Sequence, residues 1–508
     1  MFPLLVALAV VVAGVLIQRF LHYALMRMKR LAGRKLSGEA MMDVVFLHPD
    51  LGLGGAERLV VDAVVGLQSQ QEVHKKIRCT MVTNHHEPQR AFQETRDGTI
   101  KVVVHGSWIP RHIAHRGLVL CATMRMIFAA VVTCIQSPRT DVFIVDQVSA
   151  AVPVLKLLCP SSAVLFYCHF PDQLCDPSRA KNRQRSLLHR TYRNVFDAIE
   201  AFTMRFSDSI VCNSKFSRGV TVDTFPSLAS KIHSEEDIFY PPINIASATA
   251  KPLPPRHGEA VSVNPFENLD DAELSRLFLK HRCCFVSLNR YERKKNIALA
   301  LEAFATLIGR LKSTATTATT DALVSADDLL LVVAGGYDPR LAENVDHYTE
   351  LVTLSNTLGI EKHCVFLRSI ESSTKHLLLS RAQCIVYTPS GEHFGIVPIE
   401  AMAFGKVVLA VNDGGPMESV TNTDRYGFLR PPQPAAFAEV MSMVAHDVNG
   451  TLVRRIGAAA KARCQEQFSL NSFSTRLMQR LLLLRSNVTD KKLGLGTYSI
   501  KKMVSKQE

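Results

Sequence analysis

The sequence predicts an α/β fold with two doubly wound halves, on three observations. Short apolar runs of strand length alternate with stretches whose apolar residues recur at helical spacing, which is typical of buried parallel sheets. Residues 244–270, rich in Pro, Ala, Ser and Glu, interrupt this alternation as a linker or insertion would. The chain of 508 residues is also too long for a single hydrophobic core. We therefore expect two α/β domains with a ligand cleft at the carboxyl ends of their strands.

The strands are predicted from compact apolar runs, several of which are separated by helix-like stretches. They are residues 43–47, 79–83, 101–104, 142–145, 164–167 and 209–212 in the first half, and 284–288, 329–333, 365–367, 384–387 and 407–411 in the second. A Thr- and Ala-rich insert at 313–327 predicts a mobile loop. An apolar stripe at 468–484 predicts a final helix.

Composition limits the classes of partner and site. The formal net charge of +13 favours anionic partners. Nucleic acid is not expected, because the chain has one tryptophan and no basic run interleaved with aromatic residues. Its twelve cysteines include no C-x-x-C pair and lie mostly in or beside apolar runs, which predicts reduced thiols in a reducing compartment. The adjacent His85 and His86 would point apart on a strand and lack a third histidine at ligand spacing, so we expect no metal site.

The amino terminus predicts membrane attachment. Residues 2–17 are uncharged and mostly apolar, and lysines and arginines follow this run but do not precede it. That charge bias predicts a single anchor, with its basic flank and the catalytic body on the cytosolic side. A helix lying on the membrane surface fits the same residues. The basic tail, residues 486–508, is expected to be disordered or attached to anionic lipid.

Glu392 and Glu400 are the most informative pair in the chain. They stand eight positions apart across a glycine-containing loop that opens a short predicted helix. The start of a helix favours phosphate, and a carboxylate within it can hold ribose hydroxyls, so the unit suits a nucleoside diphosphate carrying a sugar. An ordinary loop and helix with one surface glutamate and one cap glutamate explains the spacing equally well.

Residues 289–296, Asn-Arg-Tyr-Glu-Arg-Lys-Lys-Asn, follow the first predicted strand of the second half. Arg290 and Lys295 could stabilise the negative charge that develops on a diphosphate leaving group. Arginine offers bidentate contacts and lysine a point charge. A solvated loop is the usual explanation of such a charge run, but its position after a buried strand favours a functional role.

Glycines and a histidine follow other predicted strands. Gly54 and Gly55 open a helix after the first strand, and Gly335 follows the strand at 329–333. Glycine lets a backbone approach an anionic group closely, although a tight turn explains each position singly. His169 follows the strand at 164–167, where it could orient a sugar or serve as a structural histidine.

These residues resemble a known family. Glu392 to Glu400 resembles the E-x7-E element of the retaining GT-B glycosyltransferases of family 4, and Arg290 and Lys295 resemble that family's diphosphate clamp. More narrowly, five segments resemble the dual α-1,3/α-1,6-mannosyltransferases of dolichol-linked oligosaccharide assembly: residues 48–58, 146–150, 166–172, 289–296 and 392–402. The resemblance covers roughly residues 43–245 and 281–430, so it is long as well as specific.

The resemblance implies a GT-B architecture, in which two Rossmann-like domains face each other across a cleft, with an N-terminal membrane-anchor helix. The implied segments are an anchor with its basic flank at 1–35, an acceptor domain at 40–245, a linker or insertion at 246–280, a nucleotide-sugar domain at 281–465, a C-terminal helix at 466–485 and a basic tail at 486–508.

The resemblance also implies the reaction. GDP-mannose would be the donor and dolichyl-diphosphate-linked Man-GlcNAc2 the acceptor, with α-1,3 and then α-1,6 mannose added on the cytosolic face of the endoplasmic reticulum membrane. Other mannosyltransferases of the same pathway are candidate partners. The chain contains no Asp-x-Asp, and a Lys/Arg pair can do the electrostatic work of a divalent cation. We therefore expect transfer without a metal or any other cofactor.

The family's residue roles carry over position by position. Glu400 would hold the ribose, and Glu392 would contact the transferred mannose. The implied catalytic residues are His169, Arg290, Lys295 and Glu392. The implied nucleotide-sugar contacts are Gly54, Gly55, Gly335, Phe394, Gly395, Ile396 and Glu400.

Two other functions remain open at this point. Another family 4 transferase could use a different nucleotide sugar or lipid-linked acceptor, because the E-x7-E element does not specify the donor. A catalytically silent membrane scaffold could keep the same fold, although the presence of Arg290, Lys295, Glu392 and Glu400 argues against it.

Overall fold

A computed structural model describes residues 41–70, 77–112, 117–175, 187–232, 234–243, 269–317, 324–421 and 424–493. The predicted anchor at 1–35 lies outside the described residues, as do most of the linker and of the basic tail. The chain divides into two compact units. One falls within Met1–Cys212, Arg218–Phe239 and Ser474–Glu508, and the other within Asn213–Ser217 and Tyr240–Phe473.

The first unit contains a six-stranded parallel sheet. Its strands are β1 (Met42–Leu51), β2 (Ile77–His86), β3 (Val102–Val104), β4 (Val142–Asp146), β5 (Ala163–Cys168) and β6 (Ser209–Cys212). They pair in the order β3-β2-β1-β4-β5-β6, and every pairing is parallel. The order reverses between β1 and β4. In doubly wound sheets ligands bind beside the strand ends at this reversal.

The helices of the first half follow its strands, as the alternating pattern predicts. They are α1 (Gly55–Ser69), α2 (Leu118–Gln136), α3 (Ala151–Leu158), α4 (Leu187–Met204) and α5 (Lys215–Thr224). By length and composition, α2 is the one helix among the described residues that could cross a membrane. It contacts β1 and β2, and its buried residues Met126, Ala129 and Ala130 join the core of the sheet. These contacts make α2 a helix of the first domain.

The second unit repeats the same topology. Its strands are β7 (Cys283–Leu288), β8 (Leu329–Gly335), β9 (Cys364–Arg368), β10 (Cys384–Tyr387), β11 (Val407–Val411) and β12 (Phe428–Arg430). They pair in parallel in the order β12-β11-β10-β7-β8-β9, so the strand order reverses between β7 and β10. The prediction of two parallel-sheet, Rossmann-like domains is thus confirmed.

Helices cover both faces of the second sheet. They are α6 (Asp271–Lys280), α7 (Ala298–Thr317), α8 (Ala342–Thr357), α9 (Ser372–Arg381), α10 (Ile396–Ala403), α11 (Pro416–Ser419), α12 (Pro434–Ala445) and α13 (Thr451–Gln467), and α14 (Leu470–Leu493) follows. Successive residues of β7 enter opposite core layers: Phe285 belongs to one, and Cys284 and Val286 belong to the other. This alternation follows from the two-residue period of a strand, and both faces are apolar because helices bury both.

Three boundaries differ from the predictions. Residues 313–317, assigned to a loop, form the last turn of α7. Helix α6 lies within the segment assigned to the linker, and its start is fixed by a capping box in which Asp270 and Glu273 bind each other's backbone. The final helix ends at Leu493 rather than near residue 484. Residues 313–317 and 485–493 are mostly polar and carry no apolar stripe, whereas α6 carries one and buries Leu274, Leu277 and Phe278.

Cysteine placement agrees with the prediction of reduced thiols. All twelve cysteines are unbridged, eleven of them are buried, and Cys175 is exposed. Burial raises the pKa of the Cys384 thiol to about 12, which keeps it protonated and unreactive.

Candidate active site

Lys295 and Glu392 meet where the strand order of the second unit reverses. Lys295 lies on the loop after β7, and Glu392 lies on the loop after β10. Lys295 Nζ is 2.5 Å from Glu392 Oε1, and the two side chains are 11% and 24% exposed. The hydroxyl of Thr388 donates to the Lys295 carbonyl over 2.8 Å, which ties the same two loops together. The structure thus joins two predicted catalytic residues that stand 97 positions apart.

Arg290 lies on the same loop as Lys295 but has a different partner. Its guanidinium Nη1 is 2.9 Å from Glu292 Oε1, and its side chain is 60% exposed. Lys294 also approaches Glu292, with Nζ 3.2 Å from Oε2. The predicted clamp therefore consists of one semi-buried lysine on Glu392 and one exposed arginine, which is free to swing toward a ligand once it leaves Glu292.

Glu400 lies inside α10, as the spacing predicts, and its two carboxylate oxygens differ. Lys375 Nζ is 2.6 Å from Oε1. Oε2 is buried and has no hydrogen-bond partner among the described residues. A buried carboxylate oxygen without a donor is costly, so it marks a position where a ligand hydroxyl would bind well. Sequence analysis missed Lys375, because nothing in the sequence of α9 distinguishes it from a surface lysine.

Glycines shape the loops around Glu392. A Cβ atom on Gly415 would lie 2.3 Å from the Phe394 Cα, and one on Gly414 would lie 2.5 Å from the Glu392 carbonyl oxygen. The Gly415 N–H donates to that carbonyl over 2.7 Å. Gly395 precedes α10 with φ +80°, a conformation that favours glycine. The first N–H groups of α10 are therefore held beside the Glu392 loop by contacts that larger residues would exclude.

Phe394 and Gly335 contribute their backbones. The Phe394 ring is buried and stacks on Tyr240 with 5.5 Å between the ring centroids, so only its main chain can face a ligand. Gly335 has φ +155°, and a Cβ there would lie 1.9 Å from the Asn289 carbonyl oxygen. That contact presses the end of β8 against the loop that carries Arg290. Ile396 is the first residue of α10.

Tyr387 ends β10 beneath the two glutamates and was not predicted. Burial, followed by the charges of Glu392 and Glu400, raises the pKa of its hydroxyl well above the ordinary value. Tyr387 is therefore a neutral phenol at physiological pH. The only signal in the sequence was its place at the end of a buried strand.

In the first unit, Asp146 joins His169 to His48. His169 Nε2 is 3.0 Å from Asp146 Oδ2, and His48 Nδ1 is 2.9 Å from the same oxygen. The strand ends of β1 and β4, which carry His48 and Asp146, flank the reversal of strand order. Burial alone would raise the pKa of Asp146, but His48 and His169 lower it to about 2. His169 thus belongs to a hydrogen-bonded cluster of three residues.

Gly54 and Gly55 begin α1, where phosphate contact was predicted. Gly54 has an extended backbone, and a Cβ there would lie 2.2 Å from Glu57 Oε2. The glycine therefore makes room for a carboxylate. Glu57 brings negative charge to this helix start, which opposes the binding of an anion there.

A cavity of about 440 Å³ opens beside this cluster in the first unit. Its charged lining residues are Asp50, Glu57, Arg111, Arg125, Asp172 and Glu200. Leu118, Phe196 and Ile199 supply apolar walls. Arg125 approaches Asp50 at 3.5 Å, and its buried Nε has no hydrogen-bond partner among the described residues. The cavity combines hydrogen-bonding carboxylates with apolar faces, as sugar-binding pockets require.

Glu200 is the most perturbed acid of that cavity. Its Oε1 accepts from the Asp172 N–H over 2.8 Å, and its Oε2 accepts from the Gln173 N–H over 3.3 Å. Burial raises the pKa of Glu200 to about 7, although these backbone hydrogen bonds lower it. The loop that follows His169 is therefore held by a carboxyl group that titrates near neutrality.

Comparison with known proteins places the chain among glycosyltransferases. Residues 276–463 match the family described as glycosyl transferases group 1. The chain is 40% identical over 440 residues to the α-1,3/1,6-mannosyltransferase ALG2 of Mus musculus, covering 86% of this chain and 95% of the relative. It is 39% identical to the Homo sapiens ALG2, covering 88% of this chain and 97% of the relative.

Solved structures share the fold at low identity. The Anabaena protein Alr3699/HepE in complex with UDP matches with a TM-score of 0.60 and 16% identity, over 87% of this chain and all of that one. The sucrose-phosphate synthase of Thermosynechococcus elongatus matches with a TM-score of 0.61 and 16% identity, over 88% of this chain and all of that one.

Proposed function

Because the chain belongs to the ALG2 family of α-1,3/1,6-mannosyltransferases, we propose that it transfers mannose from GDP-mannose to dolichyl-diphosphate-linked Man-GlcNAc2. It adds an α-1,3 and then an α-1,6 mannose, each with retention at the anomeric carbon. The observation that carries this proposal is the arrangement in the second unit. Lys295 pairs with Glu392, and Oε2 of Glu400 is buried with no hydrogen-bond partner in the described part of the chain.

Lys295 and Arg290 bind the departing diphosphate. Bond cleavage at the anomeric carbon leaves the GDP oxygen with an added negative charge. A semi-buried ammonium group stabilises that charge more strongly than water does. When the donor binds, its diphosphate takes Lys295 as a partner, and the released Glu392 carboxylate accepts hydrogen bonds from the mannose hydroxyls. No metal is needed for this charge balance.

Glu400 binds the ribose of the nucleotide. A ribose 2′- or 3′-hydroxyl would donate to Oε2, while Lys375 continues to hold Oε1. The first N–H groups of α10 face the diphosphate, as helix starts do in other nucleotide sites.

The cavity of the first unit receives the sugars of the acceptor. Four carboxyl groups and two arginines line it, which gives a net negative charge when all are ionised, and Asp50 already neutralises part of the arginine charge. Such a lining repels a diphosphate and suits neutral sugar hydroxyls. The acceptor diphosphate and its lipid would therefore lie outside the cavity.

The enzyme works at the endoplasmic reticulum membrane with its catalytic domains in the cytosol. Support comes from the unbridged cysteines, which suit a reducing compartment. Protease added outside sealed microsomes should degrade the catalytic domains, and full protection would reverse the orientation.

The reaction is tested with full-length protein, a synthetic lipid-linked Man-GlcNAc2 acceptor and a panel of radiolabelled nucleotide sugars. Two mannose units should be transferred from GDP-mannose, and linkage-specific mannosidases should release an α-1,6 and an α-1,3 unit. The Glu400→Ala, Lys295→Ala double variant is the inactive reference. Transfer from UDP-glucose but not from GDP-mannose would contradict the proposed mannosyltransferase activity. Full activity of the double variant would contradict the roles proposed for Lys295 and Glu400.

A further inference from the structure

His48 has a hydrogen-bond acceptor at each ring nitrogen. Nδ1 is 2.9 Å from both carboxylate oxygens of Asp146, and Nε2 is 3.0 Å from the carbonyl oxygen of Asp50. The side chain is fully buried. A carbonyl oxygen and an ionised carboxylate can only accept, so both ring nitrogens must donate. A ring with N–H on both nitrogens is an imidazolium.

Asp146 places a matching constraint on His169. Oδ2 of Asp146 already faces Nδ1 of His48, and it also lies 3.0 Å from Nε2 of His169. Because an ionised carboxylate offers no proton, His169 Nε2 must donate. Nδ1 of His169 makes no hydrogen bond to the described residues, and the side chain is 19% exposed. When the His169 ring is neutral, its Nδ1 therefore carries a lone pair and can accept a hydrogen bond.

We propose that His48 is a positioning residue: its buried imidazolium keeps Asp146 ionised, and Asp146 fixes His169 with its proton on Nε2 and its acceptor nitrogen outward. His169 then accepts a hydrogen bond from a hydroxyl of a sugar bound at the strand ends of the first unit. The role of His169 rests on the proposed function, whereas the protonation states of the three side chains do not.

The charge of His48 matters because Asp146 is almost fully buried. Without a cation beside it, a buried carboxylate takes up a proton. Protonated Asp146 could donate to His169 Nε2 and so move the histidine's proton to Nδ1. His169 would then offer the sugar a donor instead of an acceptor.

The charged groups around His48 agree with the imidazolium. They are Asp146 on β4, with His169 on its other side, and Glu57 in the first turn of α1. Burial lowers the pKa of His48, but Asp146, Glu57 and the Asp50 carbonyl together raise it above its ordinary value.

Nuclear magnetic resonance of the full chain with ¹⁵N-labelled histidine measures the protonation states directly. His48→Gln and His169→Gln assign the two signals by their loss, and His446→Gln, at an exposed site on α12's carboxyl end, is the matched control. At pH 7.5 we expect His48 to carry protons on both ring nitrogens, and the neutral form of His169 to carry its proton on Nε2. A single proton on His48, or a proton on Nδ1 of neutral His169, would overturn the proposal.

Kinetics of Asp146→Asn test the consequence for catalysis. The new amide can donate to His169 Nε2 and force the wrong tautomer, so kcat should fall about 100-fold or more while KM for the nucleotide sugar changes little. Adding His48→Gln to Asp146→Asn should lower kcat only slightly further, because the carboxylate that His48 keeps ionised is already absent. If the two losses multiply in the double variant, His48 acts independently of Asp146 and the proposal fails.

Two controls separate the outcomes. Thermal unfolding of each variant shows whether it has folded, and the wild-type resonance spectrum decides the protonation states even where a variant does not fold. If no sugar is transferred from GDP-mannose, the proposed function fails while the spectrum still tests the histidine cluster.

Discussion

Lys295 and Glu392 form an ion pair across the point where the strand order of the second unit reverses. Each follows a strand at the centre of the sheet, and the cation and the carboxylate neutralise each other. In the proposed reaction, donor binding exchanges this internal partner of Lys295 for a phosphate, so part of the binding free energy is used to open the pair.

Replacing Lys295 by alanine removes the cation from the leaving group. We expect kcat to fall about 100-fold to 1000-fold, as when one charge-stabilising donor is lost from other active sites. Lys294→Ala is the matched control, because Lys294 is its neighbour on the same loop and is 66% exposed. Steady-state transfer rates check the comparison, and equal losses in the two variants would contradict the assignment.

Replacing Glu400 by glutamine should weaken the proposed contact with ribose. A hydrogen bond to a charged group contributes about 1.5–3 kcal/mol, so the dissociation constant of GDP should rise roughly 10-fold to 100-fold. Isothermal titration of GDP measures this without turnover. Glu439→Gln, at an exposed position of α12, should bind GDP as the wild type does. Unchanged GDP affinity in Glu400→Gln would remove the ribose role.

Gly415→Ala should displace the loop that carries Glu392. The added methyl group would lie 2.3 Å from the Phe394 Cα, and we expect a destabilisation of about 1–3 kcal/mol. Gly309→Ala in α7 is the matched control, because nothing lies within 4 Å of its Cβ position. That change should stabilise the helix by up to about 1 kcal/mol. Thermal midpoints that fall equally in both variants would show that the loop contact is not tight.

The stability of the chain should depend on the protonation of Glu200. The folded chain raises its pKa from 4.5 to about 7, so the folded state holds this proton more tightly than the unfolded state. The free energy of unfolding of the wild type, relative to Glu200→Gln, should therefore fall as pH rises from 4.5 to about 7 and stay level above that.

Thermal midpoints at pH 5, 6, 7 and 8 measure this difference. Glutamine at position 200 loses a hydrogen bond of the wild type, and this loss shifts the difference in thermal midpoint equally at all four pH values. Only the slope of that difference against pH therefore reports the ionisation of Glu200. Glu439→Gln is the control for the substitution itself. A slope of the opposite sign would mean that Glu200 is stabilised in its ionised form.

Chelation should leave transfer nearly unchanged. Lys295 and Arg290 supply the positive charge at the diphosphate in the proposed reaction, so a divalent cation has no required place there. Full-length protein treated with EDTA and passed into metal-free buffer should keep its rate with GDP-mannose. A large loss that Mg²⁺ or Mn²⁺ restores would refute the metal-free proposal.

The fold was predictable because buried parallel strands leave a strong apolar signal. β8 and β11 contain uninterrupted apolar residues, and their bounds agree closely with the predicted runs. The start of α6 carried a recognisable signal as well, because the Asp270-x-x-Glu273 capping box is visible in the sequence. The last turn of α7 carried none, since its sequence Ser-Thr-Ala-Thr-Thr also suits a loop.

Spacing in the sequence indicates a site only where the residues stand close together in the chain. Glu392, Gly395 and Glu400 share one loop and helix, and their spacing indicated a nucleotide site. The pairs formed by His48 with Asp146 and by Lys375 with Glu400 depend on strand order, which a single sequence does not specify. Sheet topology, rather than local pattern, brings those partners together.

Because the cysteines differ in exposure, the rates at which their thiols react can report conformational changes of the chain. A maleimide added to the native protein should label Cys175 first, because the other eleven thiols are buried. Mass spectrometry would then count opened cysteines, and the order in which new adducts arise during heating would show which sheet loosens first. Since Cys175 closes the turn that begins at Asp172, a dye placed there would also sense occupancy of the neighbouring cavity.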